Sequence, residues 1–182
     1  MATRRLPVAG LVAEAQHNAN LYPLLPADSF HFVHGRIQDF VRMDVAPKFD
    51  LIVSNPPFFH RDLKPMESSR LKSRHGDGQL SFEDLLACVR ELLHETGRFT
   101  LILPTVESGE WDAMARAAGL YCTARTFVRP TIRKPVFRMV QEYGWQPFDC
   151  QENMIAIRDE RNAYTEDYLA LVNPYLLLAP KP

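Results

Sequence analysis

The feature that most constrains this chain is the junction between Phe49-Asp50-Leu51-Ile52-Val53-Ser54 and Asn55-Pro56-Pro57-Phe58. A short, continuous apolar run bounded by turn residues reads as a strand of a buried parallel sheet. Two successive prolines end it, because each lacks an N–H and cannot continue a ladder. Each also drives the preceding residue into extended geometry. Asn55 and Pro56 are thereby held stiffly, with carbonyl oxygens free beyond the carboxyl end of the strand, where open α/β sheets bind ligands.

The rest of the chain alternates strand-like and helix-like segments. Leu6–Ala13 reads as a strand, Glu14–Leu25 as a helix, and Ser29–His34, with Phe30 and Phe32 between polar neighbours, as another strand. Ile37–Met43 suits a short helix or turn. The polar stretch His60–Gly78 reads as a long loop, of the kind that is usually functional or mobile. Ser81 with Asp84 three residues on signals a helix start, and Gly97 stops that helix near His94. Arg98–Leu103 reads as a second buried strand and Ser108–Ala118 as a helix closed by Gly119. Tyr121–Val128 and Phe137–Tyr143 look like an antiparallel pair around the Pro130–Pro135 loop. The expectation is an α/β fold with a parallel sheet, an antiparallel C-terminal strand pair and a single domain spanning residues 1–182.

Charge and cysteine usage narrow the partners. The net charge of −1 hides a segregation: Arg125 to Arg138 holds five basic residues and no acid, whereas Asp149 to Asp167 holds six acids and two arginines. A basic cluster is either a footprint for an anionic partner such as RNA or a solvated surface, and charge alone does not decide. Cys88, Cys122 and Cys150 are far apart in sequence and lack metal-ligand spacing, so they read as small apolar core residues of a protein from a reducing compartment, with no metal. No apolar run approaches the length that spans a bilayer, and no signal peptide is apparent. The chain reads as cytoplasmic, with no membrane partner.

The chemistry that suits Asn-Pro-Pro-Phe is methylation of a planar amine. An exocyclic adenine amine is a poor nucleophile because its lone pair is delocalised into the ring. The Asn55 side-chain oxygen and the Pro56 carbonyl can grip its two hydrogens, and those bonds strengthen as the nitrogen becomes tetrahedral. Phe58 offers a face on which the base can stack once it is splayed out. The bland alternative is that Pro56-Pro57 merely ends a strand and Phe58-Phe59 is core. The α/β pattern around the motif favours the functional reading.

These residues match a known pattern. Phe49–Phe59, Arg74–Leu86, Gly97–Pro104, the basic pair of strands with Val128-Arg129-Pro130, Lys134-Pro135 and Arg138, and Ile157–Tyr168 together resemble the family of tRNA1(Val) (adenine-37-N6)-methyltransferases. The resemblance implies a Rossmann-like class I methyltransferase sheet, S-adenosylmethionine as cofactor and tRNA as partner. It implies catalytic roles for Asn55, Pro56, Pro57 and Phe58. Arg61, Lys64, Arg129, Arg133, Lys134 and Arg138 become candidates for gripping the RNA backbone.

Two departures from the family pattern stand out. The Asp-x-Gly-x-Gly-x-Gly loop that wraps the methionine end of the cofactor is absent from the 182 residues. The expectation is an incomplete sheet without its first strand, an N-terminally truncated domain that binds S-adenosylmethionine poorly, and an exposed sheet edge open to homodimer pairing. Second, Arg36, followed by Gln38 and Asp39, stands where the family carries an acid against the cofactor's adenine. Glu14, Gln38 and Asn55 are the cofactor-binding candidates. Two alternatives stay open: a non-catalytic RNA- or protein-binding scaffold, and a methyltransferase acting on a glutamine amide or on guanine N2 of ribosomal RNA.

Overall fold

The computed structural model describes residues 8–20, 31–42, 47–56 and 80–175. It divides into two units, one up to Ala46 and one from Pro47. The first unit contains helix α1 (Val8–Asn20) and the single-turn helix α2 (Ile37–Val41). This corrects two expectations. Residues 8–13 are helical rather than extended: Ala9, Ala13 and Ala15 are strong helix formers, and half-buried Val12 and Ala15 are three apart with exposed residues between. Residues 31–34 form no strand and are exposed throughout.

The second unit is built on a five-stranded mixed sheet in the order β1-β2-β4-β3-β5. Its elements are β1 (Phe49–Ser54), α3 (Phe82–Leu92), β2 (Leu93–Pro104), α4 (Thr105–Ala117), β3 (Tyr121–Thr131), β4 (Arg138–Gly144), β5 (Gln151–Arg158) and α5 (Glu166–Val172). β1 runs parallel to β2, while β4 is antiparallel to both β2 and β3. The expected α/β class and antiparallel pair are thus present. β5, parallel to β3, was not anticipated.

α3 opens as its sequence dictates. The Ser81 hydroxyl accepts from the Asp84 N–H at 3.0 Å, and the Asp84 carboxylate accepts from the Ser81 N–H at 3.4 Å. Such a cap contributes about 1 kcal/mol. The helix stops at Leu92, two residues before the expected end near His94, because Leu93 already pairs with Phe49. The ladder then jumps to Leu51↔Arg98, leaving the stretch around Gly97 bulged between the two pairs.

Period-two alternation along β2 buries Phe99, Leu101 and Leu103 against α3 and α4. Trp111 on α4 is fully buried at the centre of this core. Its ring meets Phe82 edge-on at 5.4 Å and Tyr143 at 6.3 Å. Truncating a tryptophan so placed would cost about 3–5 kcal/mol. The opposite sheet face is more open. On it Leu51 and Val53 of β1 are 53% and 70% exposed.

Candidate functional site

The parallel pairing of β1 with β2 brings the carboxyl ends of two strands side by side, with Ser54 opposite Leu101. Asn55 follows at once and is exposed, whereas Pro56 is buried. The carboxamide therefore stands in solvent beyond the strand end, fixed at its base by an immobilised proline. Lys48 anchors the other end of β1, donating from Nζ to the Glu91 carbonyl at 2.6 Å. Pro57 and Phe58 lie outside the described residues, as do Arg61, Lys64 and the expected 60–78 loop.

The cofactor candidates are distributed over both units. Glu14 is exposed on α1, and Gln38 is half-buried on α2. Asn55 belongs to the sheet unit. An exposed amide at the carboxyl end of a parallel strand fits the acceptor side of a methyl transfer. No glycine-rich turn occurs in the sequence to cradle the methionine end of a cofactor. Among the described residues no group of three His, Cys, Asp or Glu side chains could hold a metal ion. No described helix is long and apolar enough to cross a membrane.

The basic candidates gather where β3 turns into β4. Lys134 is exposed at the tip. Arg133 makes a two-pronged pair with Glu160, at 2.9 Å through Nε and 2.7 Å through Nη2. Arg129 donates to the Ile132 carbonyl at 3.4 Å, and the Arg138 guanidinium sits 5.6 Å from the centre of the Phe137 ring. Arg133 is thus shared with an acid, but both partners are exposed, and such pairs exchange readily for another anion.

Two features escaped the sequence reading. Arg158 lies 4.2 Å over the Tyr164 ring, which stacks on Tyr168 at 5.3 Å, so the Ile157–Tyr168 segment folds into a cation–aromatic column. The Arg and Tyr spacing was visible, but which residues would face one another depends on the turn at Asn162, with φ of 64°. A cavity of about 470 Å³ also opens between the sheet and α5, lined by Ile102, Val128, Val140, Ile155, Tyr168 and Leu171 among others. Of the described candidate residues, Arg138 borders it.

A polar knot behind the sheet has a structural role. Arg125 pairs with Asp112 and with Glu152, each at 3.1 Å, joining β3 to α4 and β5. The Tyr143 hydroxyl donates to Asp112 at 2.9 Å and accepts from Gln141 Nε2 at 2.8 Å. Burial, and then the Asp112 carboxylate, hold the Tyr143 hydroxyl well above the ordinary tyrosine range.

Comparison with known proteins bears on this site. The chain is 34% identical over 132 residues to a tRNA1(Val) (adenine(37)-N6)-methyltransferase of Pseudoalteromonas translucida, a match covering 72% of this chain and 56% of the relative. It is 33% identical over 136 residues to the protein of that name from Trichodesmium erythraeum, covering 74% and 56%. The chain is a homologue of the tRNA1(Val) (adenine(37)-N6)-methyltransferases. A third such methyltransferase, from Aliivibrio fischeri, is 29% identical over 176 residues, or 97% of this chain and 71% of that one. The chain spans little more than half the length of the first two relatives. No family model matches it. The fold agrees with a crystal structure of a predicted O-methyltransferase from Agrobacterium tumefaciens, at a TM-score of 0.53 and 16% identity over 90% of this chain and 73% of that one. The mixed sheet is thus a Rossmann-like methyltransferase sheet.

Proposed function

We propose that the chain is an S-adenosylmethionine-dependent methyltransferase that modifies N6 of an adenine in tRNA, of the adenine-37 tRNA-Val type. The observation that carries this reading is the placement of Asn55. It stands exposed beyond the carboxyl end of a parallel strand, on a buried proline, in a homologue of the tRNA1(Val) adenine-N6 methyltransferases.

In this reading the cofactor supplies an electrophilic sulfonium methyl group. The chain's own residues bind and orient the acceptor. The Asn55 side-chain oxygen and the Pro56 carbonyl take the two hydrogens of the adenine amine, and Phe58 stacks on the base. The nitrogen's lone pair turns toward the methyl as the amine becomes tetrahedral, and the bonds to Asn55 and Pro56 tighten at that moment. No protein nucleophile is required, so positioning dominates. Pro57 stiffens the platform. Glu14 and Gln38, with Asn55, are the proposed contacts to the cofactor. Arg61, Lys64, Arg129, Arg133, Lys134 and Arg138 hold the phosphate backbone, a term that falls with salt.

The same reading places the protein in the cytoplasm, where tRNA is modified. It also includes a homodimer formed through β1, which lies at one end of the described sheet with Leu51 and Val53 exposed. A strand at the edge of the described sheet with exposed apolar side chains is a surface against which a second copy can pair.

The test is transfer of labelled methyl from S-adenosylmethionine, at millimolar concentration, to unmodified valine tRNA, with nucleoside analysis for N6-methyladenosine. Label in N6-methyladenosine is the expected result. Label in a protein glutamine or in guanine N2 of ribosomal RNA would replace the substrate, and no transfer to any of these would overturn the catalytic reading.

A further inference from the structure

Cys122 and Cys150 are separated by 28 residues, yet their sulfur atoms lie 3.2 Å apart. The approach has a specific cause. β3 and β5 run parallel with Ala124 opposite Gln151, so Cys150 sits at the mouth of that ladder. In an unbroken strand Cys122 would share a sheet face with Ala124, because side chains two apart point the same way. A β-bulge between Cys122 and Ala124 breaks that alternation. Cys122 pairs with Tyr143 while Ala124 pairs with Glu142, so Cys122 is turned onto the Tyr143 face and packs against the core. Re-aiming one side chain is a recurrent use of a bulge. Cys150, one residue before Gln151, points to the same face. Both thiols are half-buried, whereas Cys88 is buried in α3.

We propose that Cys122 and Cys150 are an oxidisable dithiol that a hydroperoxide converts to a disulfide, stapling β5 to β3. Neighbouring strands lie about 4.8 Å apart, and disulfides bridge Cα atoms about 4.4–6.8 Å apart, so closure asks for side-chain rotation rather than backbone rearrangement. Burial, and then the hydrogen bond to Cys150, push the Cys122 thiol up to about 12. Either half-buried sulfur can meet the oxidant first. Where it is Cys150, its thiolate attacks one peroxide oxygen; the O–O bond breaks, the other oxygen leaves as hydroxide and takes up a proton to become water, and Cys150 becomes a sulfenic acid. The Cys122 sulfur then attacks the Cys150 sulfur. The S–S bond forms, the S–O bond breaks, and the oxygen leaves as water with the proton lost from Cys122. The sulfur pair loses two electrons and the peroxide gains them. The Arg125 charge acts on Cys122 in the opposite direction to burial and favours its thiolate.

The experiment treats the full chain with hydrogen peroxide, blocks residual thiols and maps tryptic peptides. The expected product is one intramolecular link between the peptides carrying Cys122 and Cys150, reversed by dithiothreitol, with Cys88 unmodified. Amide exchange across β5 should slow in the oxidised form. With either partner replaced by serine (Cys122→Ser or Cys150→Ser), the remaining cysteine of the pair should stop at a sulfenic acid that dimedone captures. Two free thiols after exposure, a link to Cys88, or links only between chains would overturn the proposal. The wild-type peptide map decides it even if either serine variant fails to fold.

Discussion

Gly97 lies against the backbone of Phe49: a Cβ at Gly97 would come within 2.8 Å of the Phe49 carbonyl oxygen and 3.0 Å of the His94 carbonyl oxygen. Both neighbours are backbone, so neither can swing away. The bulged stretch of β2 therefore closes onto the start of β1 only if position 97 has no side chain. Gly97→Ala is expected to destabilise the protein by about 1–3 kcal/mol. The midpoint of thermal unfolding should fall by several degrees, with amide exchange in β1 accelerated more than in β4. An unchanged midpoint would mean that this contact relaxes freely.

Asn55 is exposed, so replacing it should leave the fold intact. Asn55→Ala removes one of the two acceptors proposed for the adenine amine. Methyl transfer to tRNA should fall by about two to three orders of magnitude, with tRNA affinity changed little. Asn55→Asp keeps the shape but brings a negative charge and loses the amide donor, and should rescue only partly. A loss of tRNA binding that matches the loss of rate would assign Asn55 to binding instead.

The absence of a glycine-rich turn from the sequence leads to an expectation for the cofactor. Calorimetry on this polypeptide should show S-adenosylmethionine binding weaker than micromolar. Micromolar affinity would show that other residues do the work of that loop.

Tyr143 and Cys122 make the protein sensitive to alkali. Both have folded values raised above their ordinary ones, from 9.0 to about 12 for Cys122 and further for Tyr143. Below the unfolded values both states are protonated and the full stability is present. As pH rises past about 9–10 the unfolded chain ionises first. Stability then declines by up to about 1.4 kcal/mol per pH unit for each group until the folded group ionises as well. Denaturant midpoints measured between neutral and alkaline pH should follow this decline. Tyr143→Phe should lower stability at neutral pH by about 1–3 kcal/mol, because Asp112 and Gln141 lose a partner, and should flatten the alkaline fall.

Arg133 and Lys134 separate RNA contact from stability. Arg133→Ala removes an exposed ion pair, worth about 0–1 kcal/mol to folding. If both residues hold phosphates, each alanine variant should weaken tRNA binding across sequences and lower the slope of log affinity against log salt by about 1. Unaltered salt slopes would remove the β3–β4 turn from the interface.

β1 and β2 were legible as strands, although only β2 is buried: β1 lies at one end of the described sheet with its residues exposed or half-buried. Phe49–Ser54 and Arg98–Leu103 are apolar runs with punctuation at both ends, and neither has a plausible helical reading. The same clarity failed at Leu6–Ala13, where a short apolar run suits a helix or a strand equally and Ala content settled it. It failed again at Gln151–Arg158, which opens on the polar run Gln151-Glu152-Asn153 and whose Ile155 and Ile157 are too few to announce a strand. Glu14, Gln38 and Asn55 could be named from the sequence, but their environments could not, since exposure depends on what packs around each backbone.

The sequence by itself determined where β1 ends and the proposed acceptor platform begins, because two prolines after an apolar strand allow few backbone conformations, and it pointed to the family. Only the tertiary structure decided that Gly97 serves close approach rather than helix termination, and that Asp112, Arg125, Tyr143 and Glu152 form one polar knot. It also decided that a bulge carries Cys122 to Cys150. Local residue chemistry fixes backbone preference within a few positions. Which distant side chains meet is set by sheet register, and one inserted residue reverses the faces on which they stand.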